Sequence, residues 1–272
     1  MGRRTDPEAQ KTRPVLAAVK YGLRIIAIGS VLVVGLYGYH RVELFLIRDP
    51  RFQLPTPEYG LDSPNLEVTG VKNASRMNVL RVFSNDFGRS IYLMPLKQRR
   101  EGLRAVDWIR DASISRIWPN RIIVRVEERK PVAFIEIPSN TGRVARVALI
   151  DADGIILEPP QRSSFRLPVL TGIRAGETTA VRRDRIHRMM RLMSDIGLMG
   201  KRVSEVDASD PDNLKASVRA GDHVVSVMLG DHNFAQRLEN FVSHYAEIER
   251  RLPGARTLDL RLEDRITAVE DK

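Results

Sequence analysis

The sequence predicts an α+β protein: an N-terminal transmembrane helix, then a small domain in the order β-α-α-β-β, then a larger strand-rich domain with two helices. Three observations predict it. The run Ile25–His40 carries no charge. The basic residues Arg3, Arg4, Lys11, Arg13, Lys20 and Arg24 crowd the side before that run, against only Asp6 and Glu8. Beyond it, apolar residues recur with a period of two in some segments and of three to four in others, the signatures of strands and amphipathic helices.

The membrane segment is assigned to Tyr21–His40. About 20 residues at roughly 1.5 Å each cross a hydrocarbon layer of roughly 30 Å. Arg24 lies near one end, where its guanidinium reaches the headgroups, and Tyr37 and Tyr39 lie near the other, where aromatic rings favour the interface. Residues 1–20 then form a cytoplasmic tail, since the more basic flank stays inside. The competing readings are a buried core helix and a cleaved signal peptide. A signal peptide requires a shorter apolar stretch and a small-x-small cleavage site, and Gly35-Leu36-Tyr37-Gly38-Tyr39 supplies none. The chain's net charge of +10 is otherwise dispersed among acids, which favours membrane topology over nucleic-acid binding. With no cysteine, disulfides and thiolate metal sites are excluded.

Residues 41–63 hold Pro50, Pro55 and Pro57 and read as an extended linker. Leu66-Glu67-Val68 alternates as a strand ending at Gly70. Val79, Leu80, Phe83 and Phe87 predict a helix over about residues 75–85, broken by Gly88 and Ser90. Leu96, Leu103 and Val106 predict a second helix, with Pro95 in its first turn. Ala112, Ile114, Arg116 and Trp118 share one strand parity, and Ile122, Val124 and Val126 share another, with Pro119-Asn120 as the turn between.

Farther on, Val132–Ile137 and Val144–Ile150 alternate as strands, and Asp153-Gly154 is a hairpin turn. A helix is expected over residues 178–198, capped by Thr178 or Thr179 and apolar along Ile186, Met189, Met190, Met193 and Ile196. Val203–Val206, Leu214–Val218 and Val224–Leu229 read as strands. Phe234, Leu238, Phe241, Tyr245 and Ile248 form the apolar stripe of a further helix. Thr257–Leu262 and Ile266–Val269 close the chain as strands.

The run Trp108-Ile109-x-x-Ala112-x-Ile114-x-Arg116-x-Trp118-Pro119-x-x-Ile122-x-Val124-x-Val126-x-Glu128-Arg129-x-Pro131 resembles the POTRA-domain signature of the FtsQ/DivIB family. Val68-x-Gly70 before it and Leu149-Ile150-Asp151-x-Asp153-Gly154 after it fit the same pattern. The resemblance implies a POTRA domain over residues 64–132. It implies an FtsQ-type β domain over 133–272, a mixed sheet with helices on one face. It also implies a non-catalytic scaffold at the division septum of the inner membrane. Its N-terminus would be cytoplasmic and its folded part periplasmic, with FtsB and FtsL received by the C-terminal sheet edge and other division proteins met through the POTRA domain. The matching edge residues are Leu258, Leu260, Arg261, Leu262, Arg265, Ile266, Thr267, Ala268 and Val269. Leu262 stands where the family commonly has an aromatic. A terminal strand exposes backbone N–H and C=O groups that an incoming segment can pair with. Read from the residues alone, the motif is structural: Trp108 and Trp118 pack, and Glu128 and Arg129 form surface charge pairs of little worth.

No G-x-S-x-G, H-E-x-x-H or Walker-type loop occurs. Asp151-x-Asp153-Gly154 lacks the further oxygen ligands of a calcium loop and reads as a turn. Gly-Asp-His at 221–223 and again at 230–232 flanks a strand whose ends stand roughly 20 Å apart, too far for one ion. No catalytic residue, cofactor or metal is expected. The basic tail is suited to anionic lipid. The alternative from another class is a POTRA-type receptor or chaperone in outer-membrane protein assembly or secretion. A membrane-anchored periplasmic enzyme is a third, for which no nucleophile, metal or acid–base pair is identifiable.

Overall fold

The computed structural model describes residues 12–137, 146–160, 163–174, 176–262 and 265–269. The chain forms two compact units. The first comprises the chain up to Thr69 with Met77–Leu103 and Ala112–Arg125; the second comprises Gly70–Arg76, Arg104–Asp111 and the chain from Val126 onward.

The first unit begins with helix α1, Thr12–Arg48. Its stretch Val19–Arg48 has a mean hydropathy of 1.8 and none of it is buried, so it is long and apolar enough to cross a membrane. The helix runs through residues 41–48, which the sequence reading gave to an extended linker. The reason is local: Val42, Leu44, Leu46 and Ile47 keep the chain apolar, and helix-stopping chemistry arrives only at Asp49-Pro50. There the Asp49 carboxylate accepts from the Arg51 backbone N–H at 2.9 Å and caps a short 3-10 turn. Part of the expected cytoplasmic tail, residues 1–11, lies outside the described residues.

Strand β1 (Leu66–Thr69), helix α2 (Arg76–Arg81), helix α3 (Leu96–Arg104) and strands β2 (Ile109–Ile117) and β3 (Arg121–Glu128) follow in the expected order. They build a three-stranded sheet in the order β1-β3-β2, with β1 parallel to β3. Leu66, Val79, Phe83, Ile91, Leu103 and Ile122 are fully or almost fully buried and supply the core. Helix α2 is shorter than the 75–85 expected. After Arg81 the chain tightens into 3-10 turns and carries Asp86 inward, where Arg99 holds its carboxylate by two bonds of 2.6 and 2.8 Å. A buried carboxylate is tolerated only when paired in this way.

The second unit is a nine-stranded mixed sheet in the order β12-β11-β10-β9-β8-β7-β4-β5-β6. Its strands are β4 (Pro131–Ile137), β5 (Arg146–Asp151), β6 (Ile156–Leu157), β7 (Val169–Thr171), β8 (Val203–Asp207), β9 (Leu214–Ala220), β10 (His223–Gly230), β11 (Thr257–Asp259) and β12 (Thr267–Ala268). Positions 144 and 145 of the expected strand Val144–Ile150 lie outside the described residues. The two- and three-residue strands β6 and β7 are too short to show alternation, and the sequence reading did not foresee them. Helices α4 (Thr179–Ile196) and α5 (Phe234–Arg251) touch each other and feed one continuous apolar cluster with the sheet. Thr178 caps α4, its hydroxyl accepting from the Val181 N–H at 3.4 Å. The buried stripe of α4 is Ile186, Met189, Leu192 and Ile196; Met190, expected inside, is 38% exposed.

Two motif residues do more than the sequence reading allowed. Glu128 is not a surface pairing group. Its carboxylate accepts from the backbone N–H of Lys72 (2.7 Å), Asn73 (2.8 Å) and Ala74 (2.8 Å), and from Asn73 Nδ2 (3.0 Å). Three successive amides thus converge on one anion and pin the turn after β1. Arg129 is likewise half-buried, and its Nη1 donates at 2.8 Å to Asp151, whose side chain is 4% exposed. Asp151 also accepts from the N–H of Asp153 (3.0 Å) and Ile155 (2.8 Å), so the run that loosely resembles a calcium loop is a turn tied around its own carboxylate. Gly70 sits at φ +87° with its Cα against the Val126 carbonyl, where a built Cβ would lie 2.1 Å from the oxygen. Only glycine fits that position.

Trp108 does pack. It is 4% exposed, stacks on Phe165 at 5.9 Å and donates its indole N–H to the Glu158 carbonyl at 2.9 Å. Arg116 donates to the carbonyls of Ile91 and Met94 and ties the segment before α3 to β2. Pro131 opens β4, and the ladder to β5 is irregular between Pro131 and Ala133, a position where a missing N–H is tolerated. Trp118, followed by Pro119 in the β2–β3 connection, is 50% exposed and meets Phe52 edge-on at 5.6 Å.

Removing the Glu128 carboxylate orphans a set of clustered amides. Glu128→Ala is expected to lower stability by about 2–3 kcal/mol in chemical denaturation, whereas Glu127→Ala, whose side chain is 66% exposed, shifts it by less than about 0.5 kcal/mol.

Candidate partner-binding edge

Helix α5 decides where the sheet ends. Strand β10 runs out at Gly230, α5 carries the chain back, and β11 adds parallel to β10 in the register Ser226↔Thr257, Val227↔Leu258, Met228↔Asp259. Such a parallel return requires a crossover element, and α5 is that element. Strand β12 then folds back antiparallel on β11, with Leu258 opposite Ala268 and Asp259 opposite Thr267. It is the terminal strand on its side of the sheet, as β6 is on the other.

The register fixes which backbone groups are free to pair. Val269 N–H donates to the Thr257 carbonyl at 2.9 Å. In an antiparallel ladder, hydrogen-bonded and non-bonded pairs alternate, so Thr267 also faces β11 while the N–H and C=O of Ala268 point outward. Both Thr267 and Ala268 are exposed.

The residues expected at this edge divide into three groups. Leu258 and Leu260 are 1% and 2% exposed, so their side chains belong to the core. Leu258 packs in the core cluster, and Leu260 packs there while also lining the groove beside the edge. Leu262 is 45% exposed, and Ile266 is half-buried against the core cluster. Together with Leu260, Arg265, Ile248 and Leu252 they line a groove of about 500 Å³ between α5 and the β11–β12 connection. Thr267, Ala268 and Val269 make up the strand itself. Residues 263 and 264, within the expected site, lie outside the described residues.

Two arginines shape this corner. Arg261 closes on Asp259 with Nε at 2.9 Å and Nη2 at 2.6 Å, and its N–H adds a bond of 3.0 Å. The Arg261 side chain holds the Asp259 carboxyl below the usual carboxylate range against burial, with help from that N–H. Arg237, which apolar periodicity does not single out, is 9% exposed; its two Nη groups donate to backbone carbonyls, Nη2 also lies 3.5 Å from His232 Nε2, and Nε has no partner among the described residues. Nη1 donates to Leu229 (2.6 Å) and His232 (2.9 Å), and Nη2 donates to Arg261 (3.0 Å). One cation thus joins the end of β10, the start of α5 and the exit of β11. Gly230, at φ +73°, makes room: a Cβ there would stand 2.8 Å from Arg237 Nη1. The available signal was an arginine between Phe234 and Leu238 on an otherwise apolar helix face.

The two Gly-Asp-His runs do flank β10. His223 faces Glu249 at 3.4 Å and His232 faces Asp231 at 2.5 Å, each with its own carboxylate. No cluster of three or more ligating side chains occurs among the described residues.

Comparison with known proteins places this geometry. Residues 64–129 match the model of the FtsQ-type POTRA domain, and residues 142–261 match the C-terminal domain model of the cell division protein FtsQ/DivIB. A cell division protein FtsQ of Koribacter versatilis is 33% identical over 95% of this chain and 71% of that protein. The chain belongs to the FtsQ/DivIB family. A second FtsQ, from Novosphingobium aromaticivorans, is 27% identical over 76% of this chain and 61% of its own length. With its apolar N-terminal helix, the chain is a membrane-anchored member of this cell-division family. The match to the FtsQ/DivIB C-terminal domain stops at residue 261, before β12.

Replacing Arg237 by Met leaves three carbonyls without their donor. Stability is expected to fall by about 2–4 kcal/mol, with hydrogen exchange accelerating first at the N–H groups of Leu260 and Val269. The Asp259 contribution has a defined acid limit. A carboxyl whose folded pKa is depressed stabilises fully above its unfolded value, about 3.9, and loses that effect as pH falls through the lower folded value. Protection at Val269 should therefore hold from neutral pH to about 4 and decline below it, and Asp259→Asn should abolish that acid-dependent decline.

Proposed function

We propose that this chain is a non-catalytic divisome scaffold that recruits FtsB, and through it FtsL, by strand addition at β12. Residues 1–20 are its cytoplasmic tail, 21–40 cross the inner membrane, 41–63 connect, 64–132 form the POTRA domain and 133–272 form the β domain in the periplasm. Located at the septum, the scaffold links early division proteins, met through the POTRA domain, to septal peptidoglycan synthesis. The observation that carries the reading is the register of β12: a short exposed strand, stapled to β11 on one side, whose Ala268 amide and carbonyl face away from the sheet. Backbone pairing there supplies affinity that is tolerant of sequence. The groove lined by Leu262, Arg265 and Ile266 beside it selects the side chains that accompany the incoming strand. The chemistry of membership in a cell-division family and the absence from the sequence of the hydrolase, zincin and nucleotide-loop motifs support a binding role.

The test is binding of the FtsB periplasmic segment to the full chain held in nanodiscs. Ala268→Pro deletes the outward donor but leaves the bonds from Thr267 and Val269 to β11, and it is expected to weaken binding by at least about tenfold, the worth of one hydrogen bond and its geometry. Thr267→Ala keeps the backbone and is expected to bind within about twofold of the parent. Undiminished binding by Ala268→Pro, with exchange protection at Val269 intact, means that the partner does not pair with this strand.

A further inference from the structure

We propose that the first unit makes a second contact with the membrane: the turn Ser90–Met94 and the Ile117–Trp118 corner rest in the lipid headgroup layer beside α1. The inference rests on where α1 leaves the apolar run and on what touches it there. Helix α1 continues without a break to Arg48. At about 1.5 Å per residue, Phe45 lies only about 7.5 Å beyond His40 along the axis. The headgroup layer on each side of a bilayer is itself roughly 5–8 Å thick. Side chains packed on the last turns of α1 are therefore at headgroup depth or close to it.

Two parts of the unit pack there. Tyr92 lies in the 3-10 turn Ile91–Leu93, which packs on α1, and it stands close to Tyr39 inside the apolar run. The turn is pinned at this height because Ser90 Oγ donates to the Leu46 carbonyl of α1 at 2.6 Å. Leu93, beside Tyr92, is 53% exposed. The second part is reached through aromatic rings. Phe45 of α1 meets Phe52 at 5.5 Å, and Phe52 meets Trp118 at 5.6 Å, both edge-on. Trp118 and its neighbour Ile117 are about half exposed.

The composition of this end fits a lipid interface. Tyrosine and tryptophan place an apolar body and a polar tip at such a boundary. Around them stand the exposed cations Arg41, Arg48 and Arg51. The facing acids are Glu43 and Asp49, and Asp49 is already engaged by Arg51. The occupant is a membrane rather than a protein because the patch is continuous with the exposed apolar surface of α1, which itself needs lipid. A consequence is that the unit does not swing on a flexible tether: helix, turn and aromatic row fix it against the bilayer.

The chain has two tryptophans and no cysteine, which makes the test direct. The full chain is reconstituted in phosphatidylethanolamine–phosphatidylglycerol vesicles that contain a lipid with a headgroup nitroxide. The parent should lose about half of its tryptophan emission, the share of Trp118, and Trp118→Phe, in which the buried Trp108 remains, should lose little. Equal quenching of the two proteins overturns the proposal. A bimane attached through Leu93→Cys gives an independent reading. Quenching by the lipid nitroxide with protection from aqueous iodide supports the contact, and quenching by iodide without quenching by lipid overturns it.

Discussion

The open edge of the larger sheet exists because a buried guanidinium holds three chain segments that have little else in common. Arg237 bonds the last carbonyl region of β10, the loop into α5 and the segment that leaves β11. A cation so sequestered is costly unless its hydrogens are satisfied, and carbonyls from three places can converge on it only in the βαβ arrangement seen here. Gly230 is the complementary requirement, since any side chain there would occupy the space of the guanidinium. Once β11 is locked parallel to β10, the remaining chain can add only outside it. The position of β12, and hence of its outward amide, follows from that lock.

Much of this was legible in the sequence, and the reasons for the rest are physical. The membrane helix, both domain-scale patterns and helices α4 and α5 declared themselves through apolar periodicity, because each buries a stripe or leaves one for lipid. Strands β6 and β7 did not, since two or three residues carry no period. The shortening of α2 was hidden as well, because Asp86 is drawn inward by Arg99, a residue that sequence spacing does not connect to it. The misread residues share one property. By residue type Glu128 and Arg129 read as surface charges, as charged side chains usually are. Each instead organises backbone: Glu128 gathers three amides, and Arg129 reaches the carboxylate that ties the following turn. Periodicity reports burial of apolar groups and is silent on ions that serve the main chain.

The same distinction applies at the edge. The sequence reading placed the edge by position in the chain, and chain position does indicate the terminal strand. It did not separate Leu258, which is buried in the core, from Leu260, Leu262 and Ile266, which line the groove.

An exposed sheet edge is normally a hazard, because any extended chain can pair with it, and native edges are kept short, charged or covered. This one is two residues long, flanked by Arg261 and Arg265, and backed by a groove instead of a flat apolar face. Among the described residues β12 offers two outward backbone groups, the N–H and C=O of Ala268, few for holding an arbitrary strand. In the proposed strand addition the incoming segment would also fill the groove, so that pairing and side-chain fit act together.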